Sequence, residues 1–327
     1  MSRVPWFVAV TGIALAVAVT LEVLLFRIFA RGGVYFIKED TPGAVKTAYT
    51  SLVYLGNAMF NFAAPVVLLL LAFLSWHLWR AGRGAAPRVA AVAVSGVVLI
   101  SALKIADFQS QGLSHSYLAA SAVAIIGVVV IVARGGLSIP MRLFVAAASA
   151  SYLSLYAFKT LGGLAGTGSI RSVDTVSWFT AGEWTAAAGF LALALALPKV
   201  ADRASVGIGV FVTLLALGMT VERADSIPLI AVWAFGLSLS LPYVVYALAL
   251  GVVVAFVIGS FRRGQPLLGA GVLLLFMGHR TIPLTYFNDL AIAGLLMATL
   301  GALGHGSTQV AVPDVENATP EAGEALA

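Results

Sequence analysis

Apolar residues recur along this chain in blocks long enough to cross a lipid bilayer, and polar residues fall largely in the breaks between blocks. A hydrocarbon core about 30 Å thick needs about 20 helical residues. Blocks of that order lie near 6–30, 50–79, 88–106, 114–134, 138–161, 179–198, 204–221, 227–260, 266–283 and 286–304. The pattern predicts an all-α fold, a polytopic transmembrane helix bundle of about ten spans.

The count turns on the run from Ile227 to Phe261, which holds no charged residue in 35 positions. At about 1.5 Å per residue it could reach about 50 Å. It reads as one long tilted helix, or as two shorter ones joined where Ser238, Ser240 and Pro242 interrupt it, which would make eleven spans. Loop charge separates the two readings. With ten spans, the short loops on the N-terminal face, face A, hold Arg80, Arg83, Arg88, Arg134, Lys199, Arg203, Arg262 and Arg263 against Asp202. Face B mixes signs, with Arg31, Lys38, Glu39, Asp40, Lys46, Asp107, Arg171, Asp174, Glu222, Arg223 and Asp225. Splitting the long run would move Arg262 and Arg263 to face B and weaken the asymmetry. Ten spans with both termini cytoplasmic fit the positive-inside rule better.

Composition agrees. Apolar residues make up 61% and charged residues 10% of the chain, against roughly 25% charged in soluble domains. The net charge of +5 would suggest nucleic acid in a soluble protein, but here the loop arginines account for it and no nucleic acid is expected. Cysteine is absent, which excludes disulfides, thiolate metal sites and iron–sulfur clusters. The first apolar run is too long for a signal-peptide core and lacks a small-residue cleavage site. The expected organisation is an integral membrane domain over 1–305 and a disordered acidic C-terminal tail over 306–327, carrying Asp314, Glu316, Glu321 and Glu324. The expected location is the cytoplasmic membrane, with the lipid bilayer as the first partner.

Ionisable groups inside spans are costly and therefore functional candidates. On the ten-span reading Glu22, Lys104, Asp107, Lys159, Glu183, Glu222, Arg223, Asp225, Arg280 and Asp289 all fall in the B half or at its edge. Asn57 and Asn61, one helical turn apart, join them. The candidate polar pocket therefore comprises Glu22, Asn57, Asn61, Lys104, Asp107, Lys159, Glu183, Glu222 and Asp225 and opens to the extracytoplasmic side. Lys104 or Lys159 could pair there with Glu22 or Glu183. Four histidines divide between the leaflets, His115 and His279 near face B, His77 and His305 near face A. One pair per leaflet is what a two-haem b-type cytochrome needs, and a quinone headgroup could sit among Glu22, Asn57, Asn61 and His115. The competing reading is that these histidines cap helix ends at the headgroups.

No P-loop, zinc-protease or nucleophile-elbow motif occurs. The first functional expectation is a non-catalytic hydrophobic subunit of a larger respiratory or electron-transfer complex, associated with quinol or b-type haem. Its extracytoplasmic partner would dock on loops 31–49 and 162–178. The alternative is a secondary transporter of a small solute, with helices broken at Pro65 and Pro242. Third comes a membrane-embedded lipid-modifying enzyme using Asp107, Glu222 or Asp225 as base.

Overall fold

The computed structural model describes residues 4–22, 25, 39–106, 111–166, 175–221, 243–278 and 285–306. These form a helical bundle, with no strand among them. The helices are α1 (Trp6–Leu21), α2 (Gly43–Ala81), α3 (Ala85–Ile105), α4 (Gln111–Arg134), α5 (Ile139–Gly166), α6 (Thr175–Ala192), α7 (Arg203–Val221), α8 (Tyr243–Arg262), α9 (Pro266–Gly278) and α10 (Thr285–Gly306).

Two helices reach further than hydropathy suggests. α2 starts at Gly43, directly after Pro42, and takes up seven residues of the expected 31–49 loop. Nothing between Pro42 and Thr50 breaks a helix, and the Thr47 and Thr50 hydroxyls bond back to the carbonyls of Gly43 and Lys46. α5 likewise runs on to Gly166 and α6 begins at Thr175, so the expected 162–178 loop is shorter at both ends. The expected span 179–198 is not one uniform helix. After Ala192 it tightens into a 3₁₀ turn over Leu193–Ala196 and a last helical turn over Leu197–Val200. Pro198 explains this, because its ring collides with the carbonyl four residues back and it has no N–H to give. Residues 222–242, the first part of the long apolar run, lie outside the described residues, as does the tail after Gly306.

Among the described residues, five helical segments are long and apolar enough to cross a membrane, Gly43–Ala81, Ala85–Ile105, Gly112–Arg134, Ser177–Val200 and Val244–Arg262. Several shorter apolar helices accompany them. The exterior agrees with lipid as the surrounding solvent. Val92, Leu99, Phe211 and Leu214 each expose more than half of their surface on helix faces turned away from the bundle. A water-soluble protein rarely shows apolar patches of this extent.

The α9–α10 hairpin is the centre of the bundle. α10 packs on α9, α2, α3, α4 and α5, and α9 packs on α1 and α8. Nearly every described residue of the hairpin is buried. Its helices touch backbone to backbone at Gly271 and Gly294, where an added Cβ would lie 2.3 Å from the amide nitrogens of Ala298 and Leu275 respectively. Lipid is as apolar as a leucine side chain, so burial alone does not drive helices together there, and the close backbone packing that small residues permit does.

Candidate functional site

α10 is a largely apolar helix, yet near its start it carries Asn288 and Asp289, both buried. Asp289 is only 2% exposed. A carboxyl so placed needs hydrogen-bond donors, and neighbouring helices provide them. From α4, the Tyr117 hydroxyl donates to Asp289 Oδ1 at 2.8 Å. From α3, the Ser101 hydroxyl donates to the same oxygen at 3.1 Å. No described hydrogen bond reaches Oδ2.

A second ring of polar groups surrounds this core. Lys104, one turn after Ser101, lays its ammonium over the Tyr117 ring at 5.1 Å from the centroid. This cation–π contact keeps a positive charge beside the carboxyl without a direct ion pair. Ser121 lies one turn after Tyr117 and near Tyr156 of α5, and its hydroxyl makes no hydrogen bond of normal geometry. The Tyr156 hydroxyl and the Asn288 amide nitrogen are likewise buried without a partner among the described residues. Tyr152 stands one turn from Tyr156, with ring centroids 6.1 Å apart. Four helices thus converge on one carboxyl. Chemically the cluster can hold a proton on Asp289, or hold the carboxylate between two hydroxyl donors and a nearby ammonium.

The residues expected to form a polar pocket divide among several places. Glu22 and Glu183 are buried, at 0% and 2% exposure. Lys104 is half-buried beside Tyr117 and Asp289, not ion-paired with either glutamate among the described contacts. Asn57 and Asn61 are exposed on the outside of α2. Asp107, Glu222, Asp225 and the side chain of Lys159 lie outside the described residues. Of the histidines, His115 is exposed on α4, whereas His77 is buried with its Nε2 unpartnered among the described residues. His279 and the side chain of His305 also lie outside the described residues. No group of three metal-ligating side chains occurs among the described residues.

The sequence ranks Asp289 as one ionisable residue among ten and singles out none of Ser101, Tyr117, Ser121 and Tyr156. A signal was present. Ser101 with Lys104, Tyr117 with Ser121, and Tyr152 with Tyr156 each place two polar groups three or four residues apart, on one face of an otherwise apolar helix.

At the opposite end of the bundle a polar latch ties two turns together. Asp202 precedes α7 and accepts hydrogen bonds from the Ser205 hydroxyl at 2.5 Å and the Ser205 backbone N–H at 2.8 Å. Arg262, at the end of α8, donates to its other oxygen at 2.7 Å. The Ser205 donors, followed by Arg262, hold the Asp202 carboxyl well below the usual carboxylate range. Arg263 adds a hydrogen bond to the Lys199 carbonyl.

Comparison with protein-family models, with curated proteins and with solved structures finds no match to this chain.

Proposed function

We propose that this chain is a multi-pass hydrophobic subunit of a larger membrane complex, of the electron-transfer type that works with quinol or b-type haem. It crosses the cytoplasmic membrane about ten times, with both termini on the cytoplasmic side. The Asp202–Arg262 pair supports that parity, because it holds the end of α8 at the same face as the α6–α7 turn.

The observation that carries the complex is α2. Its 39 residues form one helix that continues through Pro65 instead of breaking there, with a length along the axis of about 58 Å, nearly twice the hydrocarbon thickness. Trp76, Trp79 and Arg80 mark its interfacial end, with Arg80 stacked on Trp76 at 4.9 Å. Counting back about 20 residues from there exhausts the hydrocarbon near residue 60. The remaining N-terminal part stands beyond it on face B with Val45, Leu52, Tyr54 and Leu55 exposed. Apolar side chains outside the lipid favour a protein cover, and the adjoining Asn57 and Asn61 offer it hydrogen bonds. For haem, His77 offers a buried imidazole whose Nε2 has no hydrogen-bond partner among the described residues.

The test is gentle solubilisation of the tagged protein, identification of co-purifying chains, and a reduced-minus-oxidised visible spectrum. The expected result is a stoichiometric partner and a b-type haem band. A stable, colourless protein that purifies alone would overturn the reading.

A second reading, proton-coupled transport of a small solute, is favoured by the placement of Asp289 where four helices meet. Solute-dependent flux in proteoliposomes, abolished by Asp289→Asn, would establish it.

A further inference from the structure

We propose that Asp289 is a proton-binding site that exchanges its proton with face B, past Lys104. This does not rest on the complex or the transport reading. It rests on three features of the geometry.

The first is the bonding of the carboxyl. Both donors, Tyr117 and Ser101, converge on Oδ1, which leaves Oδ2 without a described donor and able to carry the hydrogen of a neutral acid. When the proton leaves Oδ2 for a water molecule, the products are a hydronium and a carboxylate. That carboxylate keeps both hydroxyl donors and has the Lys104 ammonium beside the Tyr117 ring as its counter-charge. Both protonation states are therefore accommodated without moving a helix.

The second is depth. Asp289 is four residues into α10, and Ser101 and Lys104 lie in the last turn of α3. At about 1.5 Å per residue the carboxyl is roughly 6 Å from the helix end. Ile105 and Ala106, where α3 ends, are exposed. Lys104, half-buried, bridges that exposed end and the buried carboxyl.

The third is a set of spare hydrogen-bonding groups. The Tyr156 and Ser121 hydroxyls and the Asn288 amide are all more than nine-tenths buried; Ser121 lies against the Tyr117 and Tyr156 hydroxyls, and none of the three makes a hydrogen bond of normal geometry among the described residues. A water carrying the proton could bond to these groups. The titratable groups facing Asp289 are Lys104 from α3, Tyr117 from α4, and Tyr156 from α5 with Tyr152 one turn away. α9 contains none, and the titratable side chain of α2 in the buried part of that helix is His77, near its other end.

Infrared difference spectroscopy on the full chain in lipid, stepped from about pH 5 to about pH 9 across the range where a buried acid titrates, tests this. The expected result is a protonated-carboxyl C=O band that disappears as the pH rises. Asp289→Asn removes that band from the difference spectrum, while Glu22→Gln and Glu183→Gln leave it. Tyr117→Phe, which keeps the carboxyl, shifts the band to higher frequency because the carbonyl loses a donor. If Asp289→Asn does not fold, the shift in Tyr117→Phe decides alone. No pH-dependent carboxyl band, a band unchanged by Asp289→Asn, or a band unshifted by Tyr117→Phe would overturn the assignment.

Discussion

Tyr117 on α4 donates its phenolic hydrogen to Asp289 on α10 across 172 residues of sequence and 2.8 Å of space. That single bond joins the second hairpin of the bundle to its central one. It also stands between a buried carboxyl and an apolar environment that would otherwise leave it half-satisfied.

Tyr117→Phe should therefore destabilise the protein by about 1–3 kcal/mol, the cost of leaving a buried acceptor with one donor fewer. Thermal unfolding in detergent would measure it. Ser101→Ala removes the longer of the two bonds and should have a smaller effect of the same sign.

The α9–α10 contact should be intolerant of any side chain. Gly294→Val pushes a branched side chain against the Leu275 backbone, and overpacking of this kind costs about 1–3 kcal/mol or more. Gly207 on α7 has open space around it, so Gly207→Ala should not destabilise the protein and should stabilise it by up to about 1 kcal/mol. Melting temperatures of the two variants, compared side by side, check the contrast.

The Asp202 latch should respond to acid in one direction. Its folded carboxyl titrates below its unfolded value, so its contribution is present above the ordinary carboxylate range, near about pH 3.9. It is lost as pH falls through the depressed folded value. Hydrogen exchange of the amides at the start of α7 should stay slow at neutral pH and quicken only in strong acid. Asp202→Ala should show the fast behaviour at neutral pH. High salt should have a modest effect, since the Arg262 side of the latch is exposed and screened.

On the projecting half of α2, Leu52→Glu combined with Leu55→Glu should release the co-purifying partner and leave the melting temperature of the remaining bundle within a few degrees of the parent. Both positions are exposed, so nothing inside the fold is disturbed. Retention of the partner would move its docking site elsewhere.

Hydropathy alone determined the class of this protein, the approximate place of most helices, and the concentration of arginine in the loops at one end. It did so because a membrane segment must be long, apolar and internally hydrogen-bonded wherever it sits in the bundle. The expected span over 179–198 runs to Pro198 as one helix, and the 3₁₀ turn that precedes Pro198 is decided by the structure. Facing direction was not legible. Lipid and protein interior are both apolar, so a membrane helix carries little asymmetry to tell which side points inward. Asn57 and Asn61 looked like pocket residues and face outward, and His115 is exposed while His77 is buried. Only tertiary packing decided that Ser101, Tyr117 and Asp289, separated by up to 188 residues, share one hydrogen-bonded centre. Polar contacts between distant helices depend on how those helices rotate and cross, and those rotations are set by backbone contacts such as Gly271 against Ala298 and Gly294 against Leu275.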